Sequence, residues 1–218
     1  MRLPVLAFSS AALAVLVAAA SPAPAGPALG FVEEFSAGTL AGFNSGAPLS
    51  NPGTGGAGGA GDGYLLITRL PVAGHLGAFN TGLAYAGDYV TAGVTRIAFR
   101  LDHLAGTQPI EIHLAIGTGT NFWQSNAGFS PPVGSWAEFA VDLTDSTTFT
   151  RIIGIGGGFS AALHTASKLL FRHDLPPFTG GQGLADEVAG SVGIDRIQFL
   201  SATPVEQRTW GGIKDLYR

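Results

Sequence analysis

One short segment of the chain places an aromatic side chain among polar ones. Residues 120–126 read Thr-Asn-Phe-Trp-Gln-Ser-Asn, so that Trp123 stands close in sequence to the amides of Asn121 and Gln124. This combination binds sugars, because an aromatic face packs against their C–H groups while amides hydrogen-bond their hydroxyls. In the alternative interpretation Trp123 fills the core, as large aromatic side chains more often do. Tyr85 and Tyr89 form a second, weaker candidate of the same kind.

A carboxylate in an apolar segment is a candidate metal ligand. In Val192–Leu200, strand alternation puts Asp195 on one face with hydrophobic side chains. Burying a carboxylate costs several kcal/mol unless it is paired, hydrogen-bonded or metal-bound. Calcium takes about six to eight oxygen ligands, and we predict that Glu33 or Glu34 shares a structural calcium ion with Asp195. The alternative is that Asp195 accepts backbone N–H bonds at a strand start, or faces water.

Sequence motifs for catalysis are weak. The segment 158–162 lacks the second glycine of a nucleophile elbow, and the glycine-rich segment 154–158 has no surrounding βαβ unit. The five histidines show no helical metal-ligand pair, and we interpret Arg172-His173-Asp174 as the start of a loop. We therefore predict a protein that is not an enzyme. A small glycan hydrolase or lyase is the less favoured alternative, because its paired carboxylates meet only in space.

Composition excludes several classes of protein. The 218 residues include 33 Gly, 12% are charged, and none is Cys. The absence of Cys excludes disulfide scaffolds, thiolate zinc sites and thiol catalysis. The net charge of −4, with only 11 Lys and Arg, argues against a nucleic-acid partner or an anionic membrane surface.

The N-terminus has the pattern of a secretory signal peptide. Met1-Arg2 supplies a positive start, residues 3–20 are mostly apolar, and Ala23-Pro24-Ala25 offers a cleavage site. An uncleaved anchor is less favoured, because the Ala-rich run is barely long enough to span a bilayer and a Pro-rich exit follows it. We predict a signal peptide at 1–25 and a secreted, extracellular or periplasmic chain without a membrane segment.

The rest of the chain has the pattern of many short strands. Apolar and polar residues alternate in segments separated by Gly, Pro, Asn and Asp, which predicts an all-β, antiparallel β-sandwich of the jelly-roll type over residues 26–202. If residues 102–109 are the hairpin loop between two of these strands, Arg100 is expected to lie opposite Glu111. The predicted strands are Gly30–Phe35, Tyr64–Arg69, His75–Asn80, Val94–Leu101, Ile110–Ile116, Trp136–Leu143, Ser167–Arg172 and Val192–Leu200.

Two segments do not follow the strand pattern. Residues 44–63 are rich in Gly and form a long loop, which is either flexible or wrapped closely over an edge of the sandwich. Residues 203–218 form a C-terminal tail with a short helical pattern at Trp210, Ile213 and Tyr217. We interpret this tail as a terminal segment rather than as a sorting signal.

The order of these features resembles the galactose-binding-like jelly rolls, which include secreted carbohydrate-binding modules and laminin-domain-IV-like domains of bacterial extracellular proteins. The likeness covers residues 30–201. It departs from the family at Phe43, where these domains often carry Trp, and at Arg196, where Asn commonly follows the Asp. The segments that carry the likeness are Glu33–Phe35, Gly38–Phe43, Gly61–Leu65, Ser135–Leu143 and Gly193–Ile197.

The resemblance implies non-catalytic binding of sugar or matrix, often with a structural calcium ion that joins the first and last strands. We therefore expect a secreted domain that binds a glycan or another extracellular ligand through Trp123, Asn121 and Gln124. The alternative is a structural or adhesive surface component that binds no small ligand. The sequence does not predict the oligomeric state. An exposed Trp123 beside polar groups favours binding, and a buried one favours the structural role.

Overall fold

The computed structural model describes residues 26–178 and 185–201. The predicted signal peptide, 1–25, and the predicted tail, 203–218, lie outside these residues. Within the described part of the chain, no helix is long and apolar enough to cross a membrane.

The described residues are almost entirely β-structure. One short helix, α1 (Phe159–His164), interrupts a series of strands. The strands are β1 (Val32–Glu33), β2 (Leu49–Ser50), β3 (Leu65–His75), β4 (Gly77–Asn80), β5 (Arg96–Ala105), β6 (Ile112–Thr118), β7 (Asn121–Ser125), β8 (Ala137–Asp142), β9 (Phe149–Ile153), β10 (Lys168–His173) and β11 (Glu187–Leu200).

These strands form two antiparallel sheets. The first sheet has the order β2-β3-β11-β5-β8, and β1 also pairs with β11. The second sheet has the order β4-β10-β6-β7-β9. The main core lies between the sheets, where alternate residues such as Phe99 of β5 and Phe171 of β10 meet edge to face, with ring centroids 5.0 Å apart. The prediction of an all-β antiparallel sandwich of the jelly-roll type is confirmed.

Four elements were not predicted from the sequence, and one of them is the two-residue strand β2, which falls in the segment predicted to be a loop. Strands β7 and β9 are five residues long, and β7 falls in the segment that the sequence analysis placed at a strand end. Helix α1 has six residues, which is too short for a helical period to be recognised. It buries Phe159 and Leu163, four positions apart, against the core.

The predicted hairpin that places Arg100 opposite Glu111 is wrong. Strand β5 belongs to the first sheet and β6 to the second, so the segment between them crosses from one sheet to the other. Arg100 instead lies opposite Glu138 of β8, with Nη2 3.6 Å from the carboxylate. Alternation alone identifies a strand but does not identify its partner.

The glycine-rich loop wraps closely over the sandwich. The backbone N–H of Ala57 donates to Asp195 Oδ2 at 2.8 Å, and Trp136 Nε1 donates to the carbonyl of Gly55 at 3.0 Å. A Cβ atom at Gly56 would lie 2.6 Å from the carbonyl oxygen of Gly63. Glycine is required at this position because no side chain fits there.

Candidate functional site

The outer face of the second sheet carries an unusual set of side chains. On β10, Leu169 and Phe171 point into the main core, so alternation directs Lys168, Leu170 and Arg172 to the opposite face. Leu170 belongs to a separate apolar cluster there, with Ala115, Phe122 and Ile152, and Phe79 packs against it. We call this surface the outer face.

A buried polar network crosses the outer face. Arg172 is 2% exposed and donates to Gln124 Oε1 and to Asp174 Oδ2. Gln124 Nε2 also donates to Asp174 Oδ2, at 3.0 Å, and the backbone N–H of Asp186 lies 3.4 Å from the other carboxylate oxygen. The Asp174 carboxylate and the Arg172 guanidinium therefore form a hydrogen-bonded ion pair. Gln124 of β7 and the backbone of Asp186, in the loop beyond β10, contact the same pair.

A second polar pair lies beside this network. His113 of β6 is fully buried, and its Nε2 lies 3.0 Å from Glu111 Oε1. Phe178 covers the imidazole with its ring edge, at a centroid distance of 4.9 Å. This aromatic side chain belongs to the loop that follows β10, so the loop covers the outer face at His113, whereas the Glu111 side chain stays 30% exposed.

The uncovered part of the outer face contains a cavity of about 310 Å³, at the lower end of the range for small-molecule sites. We call it the β4–β10 cavity. Its walls combine apolar side chains, three cationic side chains, an imidazole and a hydroxyl. The lining side chains are Ser45, Arg69, His75, Leu76, Phe79, Lys168, Leu170, Arg172 and Ala185, with Gly46 and Gly77.

A larger cavity, of about 470 Å³, lies beside α1. Its described lining combines apolar side chains such as Val90, Leu143 and Phe159 with hydroxyl side chains, and it includes no charged one. The hydroxyls belong to Thr95, Thr144, Ser146 and Ser160. Polar groups fix the orientation of a ligand, and we prefer the β4–β10 cavity because it adds guanidinium, ammonium and imidazole groups to a hydroxyl.

Trp123 is partly buried and occupied by protein contacts. Its Nε1 donates to Asn121 Oδ1 at 2.8 Å, and the Arg151 guanidinium lies over the indole, 4.7 Å from the ring centroid. Phe159 approaches the same indole edge to face, at 5.7 Å. Asn121 is also bound, because its Nδ2 donates to the carbonyl of Gly158 at 3.0 Å.

Of the predicted ligand-binding residues, only Asn121 and Trp123 lie together. Gln124 is adjacent to Trp123 in sequence, but it lies in the network on the outer face, whereas Trp123 packs against the main core and α1. Tyr85 and Tyr89 are 2% and 0% exposed in the core, and the Tyr89 hydroxyl donates to the Tyr85 carbonyl at 2.8 Å. Their burial corrects the expectation that these two rings face a ligand.

Each of the predicted calcium ligands has a partner within the protein. Glu33 Oε1 accepts from the backbone N–H of Phe35 at 2.9 Å, and Glu34 lies 3.6 Å from the Arg196 guanidinium. Asp195 is fully buried and accepts from the backbone N–H groups of Ala57 and Arg196. Among the described residues, no three Asp, Glu or His side chains converge on one point.

The surroundings of Asp195 nevertheless hold hard oxygen donors. Asp62 Oδ2, Asp195 Oδ2 and the carbonyl of Gly63 all lie within 3.0 Å of the point that a Gly56 Cβ would occupy. The pKa of Asp195 is raised to about 6, chiefly by burial and in smaller part by the carboxylates of Asp62 and Glu34, against the lowering effect of its two backbone hydrogen bonds. Carboxylate and carbonyl oxygens are the ligands that calcium takes, although three of them are fewer than a complete shell.

Of the residues that line the β4–β10 cavity, the sequence analysis singled out Arg172 alone, and it assigned that residue to the start of a loop, whereas Arg172 lies buried within β10. Arg69 and His75 stand at opposite ends of a β3 segment that bulges away from β11, so they come together only in the folded sheet. A signal was present on β10, where Lys168 and Arg172 alternate with core residues. Cationic residues at period two on one strand indicate a polar outer face.

Comparisons with known proteins identify the fold. Neither a family model nor a curated protein matches the chain. A structure of an exo-β-agarase matches with a TM-score of 0.55 and 13% identity, over 80% of this chain and 26% of that one, so this chain spans about a quarter of that protein. The solution structure of CtCBM11 matches with a TM-score of 0.52 and 18% identity, over 81% of this chain and 98% of the other.

A third similar structure is the CBM22-2 xylan-binding domain of Paenibacillus barcinonensis Xyn10C. Its TM-score is 0.51 at 15% identity, over 79% of this chain and 99% of that domain. Two of these three similar structures are whole carbohydrate-binding modules. The protein therefore has the jelly-roll β-sandwich fold of carbohydrate-binding modules.

Proposed function

We propose that the protein is a non-catalytic carbohydrate-binding domain that holds its ligand in the β4–β10 cavity. The observation that carries the proposal is the cavity itself, in which the apolar side chains of Leu76, Phe79 and Leu170 lie beside cationic and hydroxyl groups. Sugars present C–H faces and hydroxyls, so they need both kinds of wall. The fold shared with carbohydrate-binding modules supports the proposal.

The carboxylates of the outer face support a binding role rather than hydrolysis. Asp174 accepts hydrogen bonds from Arg172 and Gln124, and Glu111 is paired with His113. A catalytic carboxyl must reach the bond that breaks, whereas both of these carboxylates are held by neighbouring side chains of the protein. These contacts fit a binding face that is held rigid.

Phe79→Ala is expected to weaken glycan binding at least tenfold while the fold is retained. The ring forms part of the cavity wall, and aromatic side chains at ligand sites supply much of the contact area with sugar C–H groups. The measurement is retention of the full chain on gels containing xylan, mixed-linkage β-glucan, agarose or polygalacturonate, followed by titration calorimetry with the polysaccharide that retains it.

The matched control is Val133→Ala, which removes an exposed apolar side chain outside the cavity. It is expected to bind as the unmodified chain does. Equal binding by Phe79→Ala would place the ligand elsewhere on the sandwich. Failure of every polysaccharide to bind would favour the structural or adhesive role, which the packing of Trp123 against protein groups also fits.

We also propose a structural calcium ion beside Asp195. Asp195 and Asp62 would supply carboxylate oxygens and the loop, through Gly63, a carbonyl oxygen. A divalent cation there would offset the repulsion between the two carboxylates. In this arrangement Glu33 takes no part, because it is bound to Phe35.

Calcium at 1 mM is expected to raise the melting temperature of the chelator-treated protein by several degrees, because a ligand that binds only the folded state stabilises it. Differential scanning calorimetry with EDTA and with calcium makes the measurement. Asp62→Asn removes one proposed ligand and is expected to abolish the increase. Identical melting curves with EDTA and calcium would show that the backbone N–H groups of Ala57 and Arg196 alone satisfy Asp195.

A further inference from the structure

A third cavity, of about 330 Å³, lies at the end of strand β4. We call it the β1–β4 cavity, and its walls include Phe31, Glu33, Ala41, Asn80 and Leu83. Leu83 is 68% exposed, and the ring of Phe31 is half-buried. These two side chains offer an apolar surface that a ligand can reach from solvent, and such a surface suits the C–H face of a sugar.

The β1–β4 cavity is a direct neighbour of the β4–β10 cavity. Phe79 lines the β4–β10 cavity, and the next residue, Asn80, lines the β1–β4 cavity. Ser45 and Gly42 are divided between the two cavities in the same way, and three residues of chain span at most about 11 Å. Between these walls the backbones of Asn44 and Phe79 exchange two hydrogen bonds, each of 2.8 Å. A ligand that leaves one cavity across this bridge therefore enters the other.

Glu33 brings a carboxylate to the β1–β4 cavity. Its Oε1 accepts one hydrogen bond, from the backbone N–H of Phe35 at 2.9 Å, whereas a carboxylate can accept several. Within residues 26–178 and 185–201, no Lys, Arg or His forms an ion pair with it. Partial burial raises the pKa of this carboxyl, because it removes water that would stabilise the charge. Hydroxyl groups of a sugar would replace that water as hydrogen-bond donors.

The hydroxyl of Tyr85 is an unsatisfied polar group beside the same cavity. The ring packs in the core, edge to face with Phe31 and Phe199, and the residue also lines the β1–β4 cavity. The hydroxyl oxygen is buried and has no hydrogen-bond partner in the described part of the chain. Burial and, next, the charge of Glu33 raise the pKa of Tyr85, which places the two groups near each other. A buried hydroxyl without a partner is unfavourable, and a hydrogen-bonding group at the floor of the cavity would satisfy it.

We propose that the β1–β4 cavity is a second sugar subsite, and that one glycan chain occupies both cavities by crossing the bridge between Asn44 and Phe79. Glu33 accepts hydrogen bonds from hydroxyls of the second sugar, and Phe31 and Leu83 contact its C–H face. This inference rests on the proposed function, and it specifies the ligand as an oligosaccharide chain rather than a single sugar. Binding of one sugar holds the next at a high local concentration, so the two subsites together bind a chain more strongly than either alone.

The test compares ligands of the same composition and different length. Oligosaccharides of up to six residues, prepared from xylan, mixed-linkage β-glucan, agarose and polygalacturonate, are titrated calorimetrically into the full chain. In the series that binds, affinity is expected to increase about tenfold or more between the shortest ligand that binds and the hexasaccharide. A single cavity that holds one sugar would instead give the same affinity for every longer ligand.

Variants connect this increase to the β1–β4 cavity. Glu33→Gln is expected to lower affinity for the hexasaccharide about tenfold and Leu83→Ala severalfold, and both are expected to change the affinity of the shortest ligand much less. Phe79→Ala, in the β4–β10 cavity, is expected to weaken the binding of short and long ligands alike. The matched controls lie outside both cavities and are expected to bind normally. They are Glu138→Gln, which removes the same charge, and Leu175→Ala, which shortens an exposed leucine.

Each result has a distinct meaning. Thermal melts identify any variant that fails to fold, and Leu83→Ala, at an exposed position, keeps the test valid if Glu33→Gln does not fold. Affinity that is independent of length would overturn this inference and leave the proposed function in place. An increase with length that persists in both variants would also overturn it, because the added sugars would then contact another part of the sandwich. Failure of all four oligosaccharide series and their parent polysaccharides to bind would overturn the inference and the proposed function together.

Discussion

Replacing Asp174 with Ala is expected to lower the free energy of unfolding by about 3 kcal/mol. Asp174 and Arg172 are both almost fully buried, at 1% and 2% exposed. Removal of the carboxylate leaves the guanidinium in an environment that disfavours its charge, and it also removes the acceptor of Gln124. Breaking a buried pair costs about 3–5 kcal/mol. We expect the lower value, because Asp186 also lies near enough to attract Arg172.

Urea unfolding followed by tryptophan fluorescence measures this change, and the melting temperature should fall by roughly 6–12 °C. Glu138→Ala is the matched control, because its partner Arg100 forms an ion pair that is substantially exposed, at 3.6 Å. An exposed pair contributes at most about 1 kcal/mol. Equal effects of the two substitutions would mean that the buried network adds nothing to stability beyond an exposed pair.

Ionisation of Asp195 is expected to reduce the stability of the metal-free protein as the pH rises. The carboxyl has a pKa of about 6 in the folded state and 3.8 as a model value for the unfolded state. Below pH 4 both states hold the proton, whereas between pH 4 and 6 the unfolded state loses it first. The contribution of Asp195 therefore falls across this window and is level above it. At about 1.4 kcal/mol per pKa unit, the fall is at most about 3 kcal/mol.

The measurement is the free energy of unfolding of the unmodified chain minus that of Asp195→Asn, from pH 3 to 8 in EDTA. The subtraction cancels the contributions of the other titrating groups to the pH dependence. His173 is one of these groups, because burial lowers the pKa of its imidazole. With calcium present, the contribution of Asp195 to the free energy of unfolding should instead increase as the pH rises, because only the ionised carboxylate binds calcium well. A difference that is flat from pH 3 to 8 in EDTA would contradict the raised pKa.

Local sequence pattern was sufficient to identify most of the strands. Alternation of apolar and polar residues occurs within one strand, so Val94–Leu101 and Ser167–Arg172 were recognised without knowledge of their partners, close to the observed β5 and β10. The same alternation put Asp195 on a face with apolar side chains but left open whether the carboxylate is buried or faces water, and the structure buries it. The interpretation that its oxygens accept backbone N–H bonds describes the observed contacts. The calcium ion stays a prediction.

Neighbouring positions on one strand misled the prediction of the ligand site. Trp123 and Gln124 are adjacent in sequence, but consecutive side chains of a strand point to opposite faces. Gln124 therefore joins the network with Arg172 on the outer face, while Trp123 packs against Phe159. A cluster of suitable residue types in sequence forms a site only where the strand period also places them together.

The sequence by itself determined the class of fold, the approximate strands and the face of its strand on which Asp195 lies, because these depend on period and composition within short segments. Tertiary structure alone decided that β5 and β6 lie in different sheets and that Arg69 of β3 and Lys168 of β10 line one cavity. Which strands pair depends on the packing of distant segments and on the connections between them. Local alternation carries no information about either. The candidate site is built from such long-range contacts.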